Sequence, residues 1–226
     1  LEYTRLMMAP LYYFSNLNEI KRVLLIGLGP GVLVNAYRKQ LPNARIDIVE
    51  FDERIVRLNK EYFKFNVEDN DDEKKKSTKN TRLILSDGYE YLLNGSRDDD
   101  NKEDLKYDII LVDAFFKSVW PDHFRTKHFL RLVELAKNKQ NANSVVAFNM
   151  YSKMYNPTYE EDILLFRTYF NNKFYSLVSS EGNHIILAQT CCKLKNITHI
   201  VENSARVDFK PFLIDRSYLL NQFQII

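Results

Sequence analysis

Cysteine is nearly absent, with two in 226 residues, adjacent at Cys191 and Cys192. Neighbouring cysteines rarely bridge to each other, and no CxxC or Cys/His spacing accompanies them. A disulfide scaffold and a metal site are therefore both excluded as organising principles. The pair reads as two reduced thiols of a cytoplasmic protein. Long apolar runs are missing too, so no transmembrane helix and no membrane partner are expected. So is an excess of charge of either sign: 32 basic residues face 30 acidic ones, a net charge of +2. That balance leaves no electrostatic footprint for nucleic acid. No signal-peptide pattern supports secretion, and the triplets Asn94-Gly95-Ser96 and Asn196-Ile197-Thr198 read as chance sequons. The sequence opens on Leu1 rather than methionine, so an upstream segment is left open. Glycine is scarce, six in all, yet three of the six crowd into Gly27-Leu28-Gly29-Pro30-Gly31.

What is present is a composition of 45% hydrophobic and 27% charged residues, enough for one domain with a large core. Short apolar runs alternate with helical stripes. Val23–Ile26 is wholly apolar and ends in glycines, as a parallel strand buried on both faces does. Leu33, Tyr37 and Leu41 share a helical face, and Ile46–Val49 is the next strand. Ile55, Leu58, Tyr62 and Phe65 stripe a second helix at spacings of three and four. Leu83–Leu85, Ile109–Val112 and Val145–Phe148 follow as strands. A helix over about 124–137 turns Phe129, Leu132, Val133 and Ala136 inward, and Ile163, Phe166 and Phe170 mark another. Phe174–Val178 and His184–Leu187 then form two strands with no helix between them. Five βα units ending in a hairpin predict an α/β, Rossmann-like methyltransferase fold. It has a seven-stranded, mostly parallel sheet with helices on both faces. The chain reads as a single domain over 1–226: an approach segment 1–20, a sheet core 21–189 and a tail 190–226.

Two stretches interrupt this plan. Residues 66–81 (NVEDNDDEKKKSTKNT) and 94–106 (NGSRDDDNKEDLK) carry almost no large apolar side chains, so they read as surface insertions without a packed structure.

The chemistry gathers at strand ends. Gly27, Gly29 and Gly31 lie between a strand and a helix, where glycine permits positive φ and close approach of backbone to ligand. Glu50 ends the second strand, 19 residues after Gly31, where a carboxylate can accept from both ribose hydroxyls. A nicotinamide dinucleotide would use the same acid. Its fingerprint, however, needs glycine three residues after the second one, where Val32 stands, and Pro30 removes a backbone amide that a pyrophosphate would use. Asp87-Gly88 closes the third strand, suited to an adenine amino group, and Asp113 closes the fourth, beside the reaction centre. In open α/β sheets ligands bind at the carboxyl ends of strands. The four consecutive strand ends thus point to an adenosyl sulfonium or thioether ligand, S-adenosylmethionine or a close relative of it.

The stretches Tyr3-Thr4-Arg5-Leu6-Met7-Met8, RVLLIGLGPGVL (22–33), IDIVEFDERIVRLNKEYF (46–63), SDGYEYL (86–92), YDIILVDAF (107–115) and PDHFRTKHFL (121–130) resemble the spermidine synthase family, nearer its spermidine-synthase-like branch than the true synthases. The resemblance covers about two thirds of the chain. It implies that Glu50 and Asp87 hold the ribose and adenine of the nucleoside. It also exposes departures. In the family an Asp within the glycine turn holds the ammonium of decarboxylated S-adenosylmethionine, and here that position is Pro30. A second Asp, three residues beyond the one matching Asp113, deprotonates the acceptor amine, and here it is Phe116. A further acid grips the polyamine, and its counterpart is Tyr151. The family's small N-terminal β-domain has no counterpart in this sequence. On this reading Asp113 is the one acid left to a polyamine, as base or amine-orienting group.

Aromatic residues stand in place of the missing acids. Phe115, Phe116 and Trp120 follow Asp113, with Tyr151 across the next strand end and Tyr3 in the matching N-terminal stretch. Such rings suit a methylammonium or sulfonium, worth about 0.5–2 kcal/mol per contact. His123 offers a further acceptor-side contact or base. Three functions remain open. One is an S-adenosylmethionine-dependent methyltransferase acting on an amine or protein. Another is a catalytically silent module that binds nucleoside and dimerises. The third is an aminopropyltransferase (polyamine synthase) with a rearranged acceptor site. The expected partners are the nucleoside cofactor and an amine or protein acceptor, with homodimerisation left open.

Overall fold

Runs rich in valine, isoleucine and leucine become strands because their branched side chains fill both faces of a pleated sheet. The computed structural model describes residues 2–62, 80–96, 106–115, 119–171, 174–189 and 223–224. Its strands are β1 (Arg22–Ile26), β2 (Arg45–Glu50), β3 (Thr81–Leu85), β4 (Ile109–Val112), β5 (Val145–Tyr151), β6 (Phe174–Val178), β7 (Asn183–Ala188) and β8 (Phe223–Gln224). They form one sheet in the order β3-β2-β1-β4-β5-β7-β6-β8. The first five in that order pair in parallel, and β7, β6 and β8 are antiparallel. The expected seven strands are therefore present, and two tail residues add a short eighth along β6. The chain runs outward from β1 to β3, then returns to lay β4 on the other side of β1. That reversal opens a crevice at the carboxyl ends of β1 and β4.

Alternate strand residues face two separate cores. Val23 and Leu25 of β1, with Ile109 and Leu111 of β4, pack against α2 (Val32–Gln40) and the N-terminal segment. Leu24, Ile26, Ile110 and Val112 face the other core, with Leu92 of α4 (Gly88–Ser96), Phe129 and Val133 of α5 (Lys127–Ala136), and Phe166 of α6 (Tyr159–Phe170). Leu6, Met7, Met8, Leu11 and Phe14 are fully buried, so the segment after α1 (Glu2–Leu6) is core rather than a mere approach. The Tyr37 hydroxyl ties it down by donating to the Met7 carbonyl at 2.8 Å.

Several boundaries differ from the sequence expectation. Thr81 begins β3 and pairs with Ile46, so the first polar stretch ends before it. Asn94, Gly95 and Ser96 close α4, so the second begins inside a helix. Residues 66–79 and 97–105 lie outside the described residues, as do Phe65, Phe116, Cys191 and Cys192. The helix expected from 124 starts at Lys127, where Thr126 caps it by accepting from the Phe129 amide at 3.1 Å. The largest departure is α3 (Glu53–Tyr62). Leu58 is 45% and Tyr62 66% exposed, although their spacing suggested a buried stripe. This helix packs against β2 near the sheet edge, so only Ile55 and Val56 reach the core, and its one fully buried residue is Asn59. Among the described residues no helix is long and apolar enough to cross a membrane.

Candidate active site

The glycine turn is fixed by an acid 22 residues away in sequence. Glu50 is buried; its Oε2 accepts from the Leu28 amide and its Oε1 from the Asp52 amide, both at 2.9 Å. Each carboxylate oxygen keeps a second lone pair, so the side chain can hold the turn and still accept from ribose hydroxyls. Gly27 has a φ of 97°, and a Cβ there would overlap the Asp113 carbonyl oxygen. Glycine is thus what lets the ends of β1 and β4 approach so closely. Gly29, at a φ of 49°, has open space where its side chain would be and lines the cleft. Gly31 departs from its expected ligand contact. It is buried, its amide is spent on the Leu28 carbonyl at 3.0 Å, and it caps α2 without lining the cleft.

Asp87 does two jobs. Its Oδ1 accepts from the Tyr89 and Glu90 amides at 2.8 and 3.2 Å, capping α4, while its Oδ2 meets His123 Nε2 at 3.1 Å. Gly88, which also lines the cleft, lets the helix start seat against Ile26 and Phe124. His123 lines the same cleft as Asp113, at its Asp87 end, where the imidazole sits edge-on to Tyr89.

Asp113 directly follows β4 and is held in line by its amide, which donates to the Ile26 carbonyl at 2.8 Å. Its Oδ1 accepts from Asn149 Nδ2 at 2.7 Å, and Asn149 Oδ1 in turn accepts from Asn183 Nδ2 at 3.1 Å. Burial pushes the Asp113 carboxyl up to about 6, against the opposing pull of the Asn149 amide. The hydroxyl of Tyr3 is pushed up to about 12, first by burial and then by the nearby charge of Asp113. Phe115 and Tyr151 face each other with ring centroids 4.8 Å apart. Trp120 does not join them. It is buried, packs on Phe148 and Phe166, and donates its indole N–H to the Asn149 carbonyl at 2.7 Å.

An acid that sequence reasoning missed stands at this end. Glu181, in the turn between β6 and β7, lines the same cleft as Tyr3, Asp113 and Tyr151. Its Oε2 accepts from the Glu2 amide at 2.7 Å, while the Glu2 carboxylate accepts from the Ser180 amide at 2.7 Å and from the Ser180 hydroxyl. The expectation that Asp113 alone would meet a cationic acceptor is thereby corrected. The reason is topological: the hairpin reaches back over β5, a contact that no local pattern encodes. Phe51, 62% exposed on the cleft wall beside Glu50, was also missed. A polar residue inside the apolar run of β5 was the available signal for Asn149.

These groups line one cleft of about 1010 Å³. Acceptors for hydroxyls (Glu50) and for an amino group (Asp87) stand apart from an acid–aromatic end (Asp113, Phe115, Tyr151, Glu181). That layout suits a nucleoside with a reactive tail.

Comparison with known proteins fits this layout. The family described as "Spermine/spermidine synthase domain" matches residues 3–178. A polyamine aminopropyltransferase of Vibrio vulnificus (strain CMCP6) is 27% identical over 169 residues, which are 74% of this chain and 50% of that protein. The chain thus spans half the length of that relative. Human methyltransferase-like protein 13, solved in complex with SAH, superposes with a TM-score of 0.73 at 21% identity, over 98% of both chains. A spermidine synthase in complex with the transition-state analogue AdoDATO gives a TM-score of 0.72 at 16% identity, over 98% of this chain and 71% of that one. The fold of this chain is thus that of the spermidine-synthase-like proteins, and the chain belongs to the spermine/spermidine synthase domain family.

Proposed function

We propose that this protein transfers an alkyl group from an adenosyl sulfonium donor to an amine nitrogen, and that the group is methyl, from S-adenosylmethionine. The observation that carries amine alkylation is Asp113: a carboxylate at a strand end, oriented by Asn149, sharing its cleft with an aromatic pair and ionised above about pH 6. Glu50 offers lone pairs to the ribose hydroxyls, Asp87 offers an acceptor to the adenine amino group, and the open side of Gly29 leaves room for the tail. When bound, the sulfonium supplies an electrophilic carbon: the amine forms the C–N bond, the C–S bond breaks, and its electron pair stays on sulfur in a neutral thioether. Asp113 accepts an N–H of the acceptor, aims the nitrogen lone pair, and stabilises the positive charge that builds on nitrogen. The proton then leaves through the carboxylate to solvent. Phe115 and Tyr151 exclude water and face the cation with their rings. Methyl rather than aminopropyl rests on Pro30, which puts no carboxylate in the glycine turn to hold a decarboxylated donor's ammonium or to repel an intact donor's carboxylate.

Aminopropyl transfer is the second reading. The name of the Vibrio relative favours it, and so does Glu181, because a second acid at the acceptor end can compensate a second ammonium. The deciding experiment incubates the protein with either donor and with putrescine, spermidine or a lysate, and reads products by mass. Methylated amine from S-adenosylmethionine supports the first reading. Spermidine or spermine from the decarboxylated donor replaces it with the second. No product with either donor, despite binding, leaves a silent nucleoside-binding module.

A further inference from the structure

We infer that Asn59 is a positioning residue that makes the glycine turn present an N–H to the donor's tail, and so selects a tail bearing a carboxylate. The inference rests on the donor reading above. Asn59 is the one fully buried residue of α3, 1% exposed. Its Nδ2 donates to the Gly29 carbonyl at 2.6 Å and to the Ile55 carbonyl at 2.9 Å. Two carbonyls on the nitrogen fix the amide's orientation and leave Oδ1 buried with no partner among the described residues. An orphaned buried oxygen costs free energy. A leucine here would bury more apolar surface, and what it would give up is the bond to the Gly29 carbonyl, so helix packing does not account for an asparagine. Holding the Gly29 carbonyl does.

The other side of Gly29 faces the cleft. At a φ of 49° the residue is in the left-handed region that glycine adopts freely, and it lines the cleft. The carbonyl is tied into α3, and the Gly29 amide has no hydrogen-bond partner among the described residues. The preceding amide, of Leu28, is bonded to Glu50, so the ribose-binding acid is one residue away. Pro30 has no N–H, and the Gly31 amide is already used. Gly29 is therefore the polar contact this turn has to give. An N–H stabilises a carboxylate, whereas a free carbonyl at the same place would stabilise an ammonium. Asn59 decides which of the two the donor meets, without touching the donor itself.

Calorimetry on the native chain and on Asn59→Ala tests this with three compounds. S-adenosylhomocysteine carries the tail carboxylate, decarboxylated S-adenosylmethionine lacks it, and 5′-methylthioadenosine has no charged tail and reports on the fold. In the variant, affinity for S-adenosylhomocysteine should fall about tenfold relative to 5′-methylthioadenosine, while the decarboxylated donor holds or gains. Asn59→Leu, which keeps the helix face filled, should give the same ratios. Equal losses for all three compounds, or loss of all binding in both variants, would make Asn59 a support for α3 alone and overturn the inference. Unchanged selectivity would overturn it as well. If the native chain binds none of the three, the donor reading itself fails and the inference with it.

Discussion

Asn149 donates its side-chain amide to Asp113 Oδ1 at 2.7 Å from the neighbouring strand, and its own oxygen is held by Asn183 at 3.1 Å. Asp113 is thus positioned by a relay of two amides running from β7 through β5 to the end of β4. The same contact works against burial, which raises the carboxyl to about 6. Replacing Asn149 with alanine removes the lowering contact, so the Asp113 pKa should rise further. Transfer requires the ionised carboxylate, so the acid limb of the kcat/KM profile should move to higher pH, by about one unit. A profile with an unmoved acid limb would show that Asp113 is not the titrating group.

Glu50 is committed to two backbone amides before any ligand arrives. Glutamine at this position must place its NH₂ against either the Leu28 or the Asp52 amide, donor against donor. Glu50→Gln should therefore weaken donor binding by more than about tenfold and also destabilise the turn, by about 1–3 kcal/mol. In a chain of this size that lowers Tm by about 2–10 °C. Weakened binding with an unchanged melt would mean that Glu50 serves the ligand alone and does not fix the turn.

The sheet and the glycine-turn end of the cleft were legible in the sequence, because both are local. Apolar runs of strand length, the glycine turn after β1, and acids at the ends of β2, β3 and β4 each declare themselves within a few residues. The acceptor end was legible only in part. Tyr3, Asp113, Phe115, His123 and Tyr151 do line one cleft, with His123 paired to Asp87, but Trp120 went to the core. Glu181 and Asn183 come from a hairpin that pairs back onto β5, with Asn183 34 residues from the Asn149 it bonds. Asn59 was hidden by the pattern itself. A stripe through Leu58 and Tyr62 suggested an apolar face, yet the helix lies near the sheet edge and buries the polar residue between them.

Glu181 shares the acceptor end with Asp113, and the two should divide the charge of an acceptor between them. Glu181→Gln should raise KM for a dicationic acceptor such as putrescine by about tenfold while leaving a monoamine nearly unaffected. Its effect on kcat should be small, because the reacting nitrogen faces Asp113. Equal changes for both acceptors would reduce Glu181 to its contact with the Glu2 amide.

Two ionisable groups, the half-buried Asp113 and the buried His184, give the fold opposite responses to acid, and variants should separate them. Asp113 titrates near 3.8 when unfolded and near 6 when folded. Between these values the folded state holds the proton that the unfolded state releases, so this group's contribution falls as pH rises from about 4 to about 6. His184 is the reverse. Its ring is buried between the Tyr159 hydroxyl, 2.9 Å from Nδ1, and the Ser176 hydroxyl at Nε2. Burial pushes it down from 6.5 to about 4. As pH falls through 6.5 the unfolded chain takes a proton that the folded one refuses, and stability is lost until about pH 4. For His184 the loss is about 3 kcal/mol. Asp113 opens onto the cleft, so solvent screening holds its share to about 1–3 kcal/mol. In the native chain the two slopes largely offset each other between pH 4 and 6. Asp113→Asn removes one and should leave stability falling steadily toward acid. It should be more stable than the native chain above pH 6 and no better below about pH 4, while losing transfer activity. His184→Gln removes the other, and relative to the native chain its stability should rise toward acid. Urea denaturation of the three proteins from pH 4 to 7 reads both slopes. Parallel curves for Asp113→Asn and the native chain would mean that the acid proposed to orient the acceptor is not raised by the fold, and that Asp113 stays ionised well below pH 6.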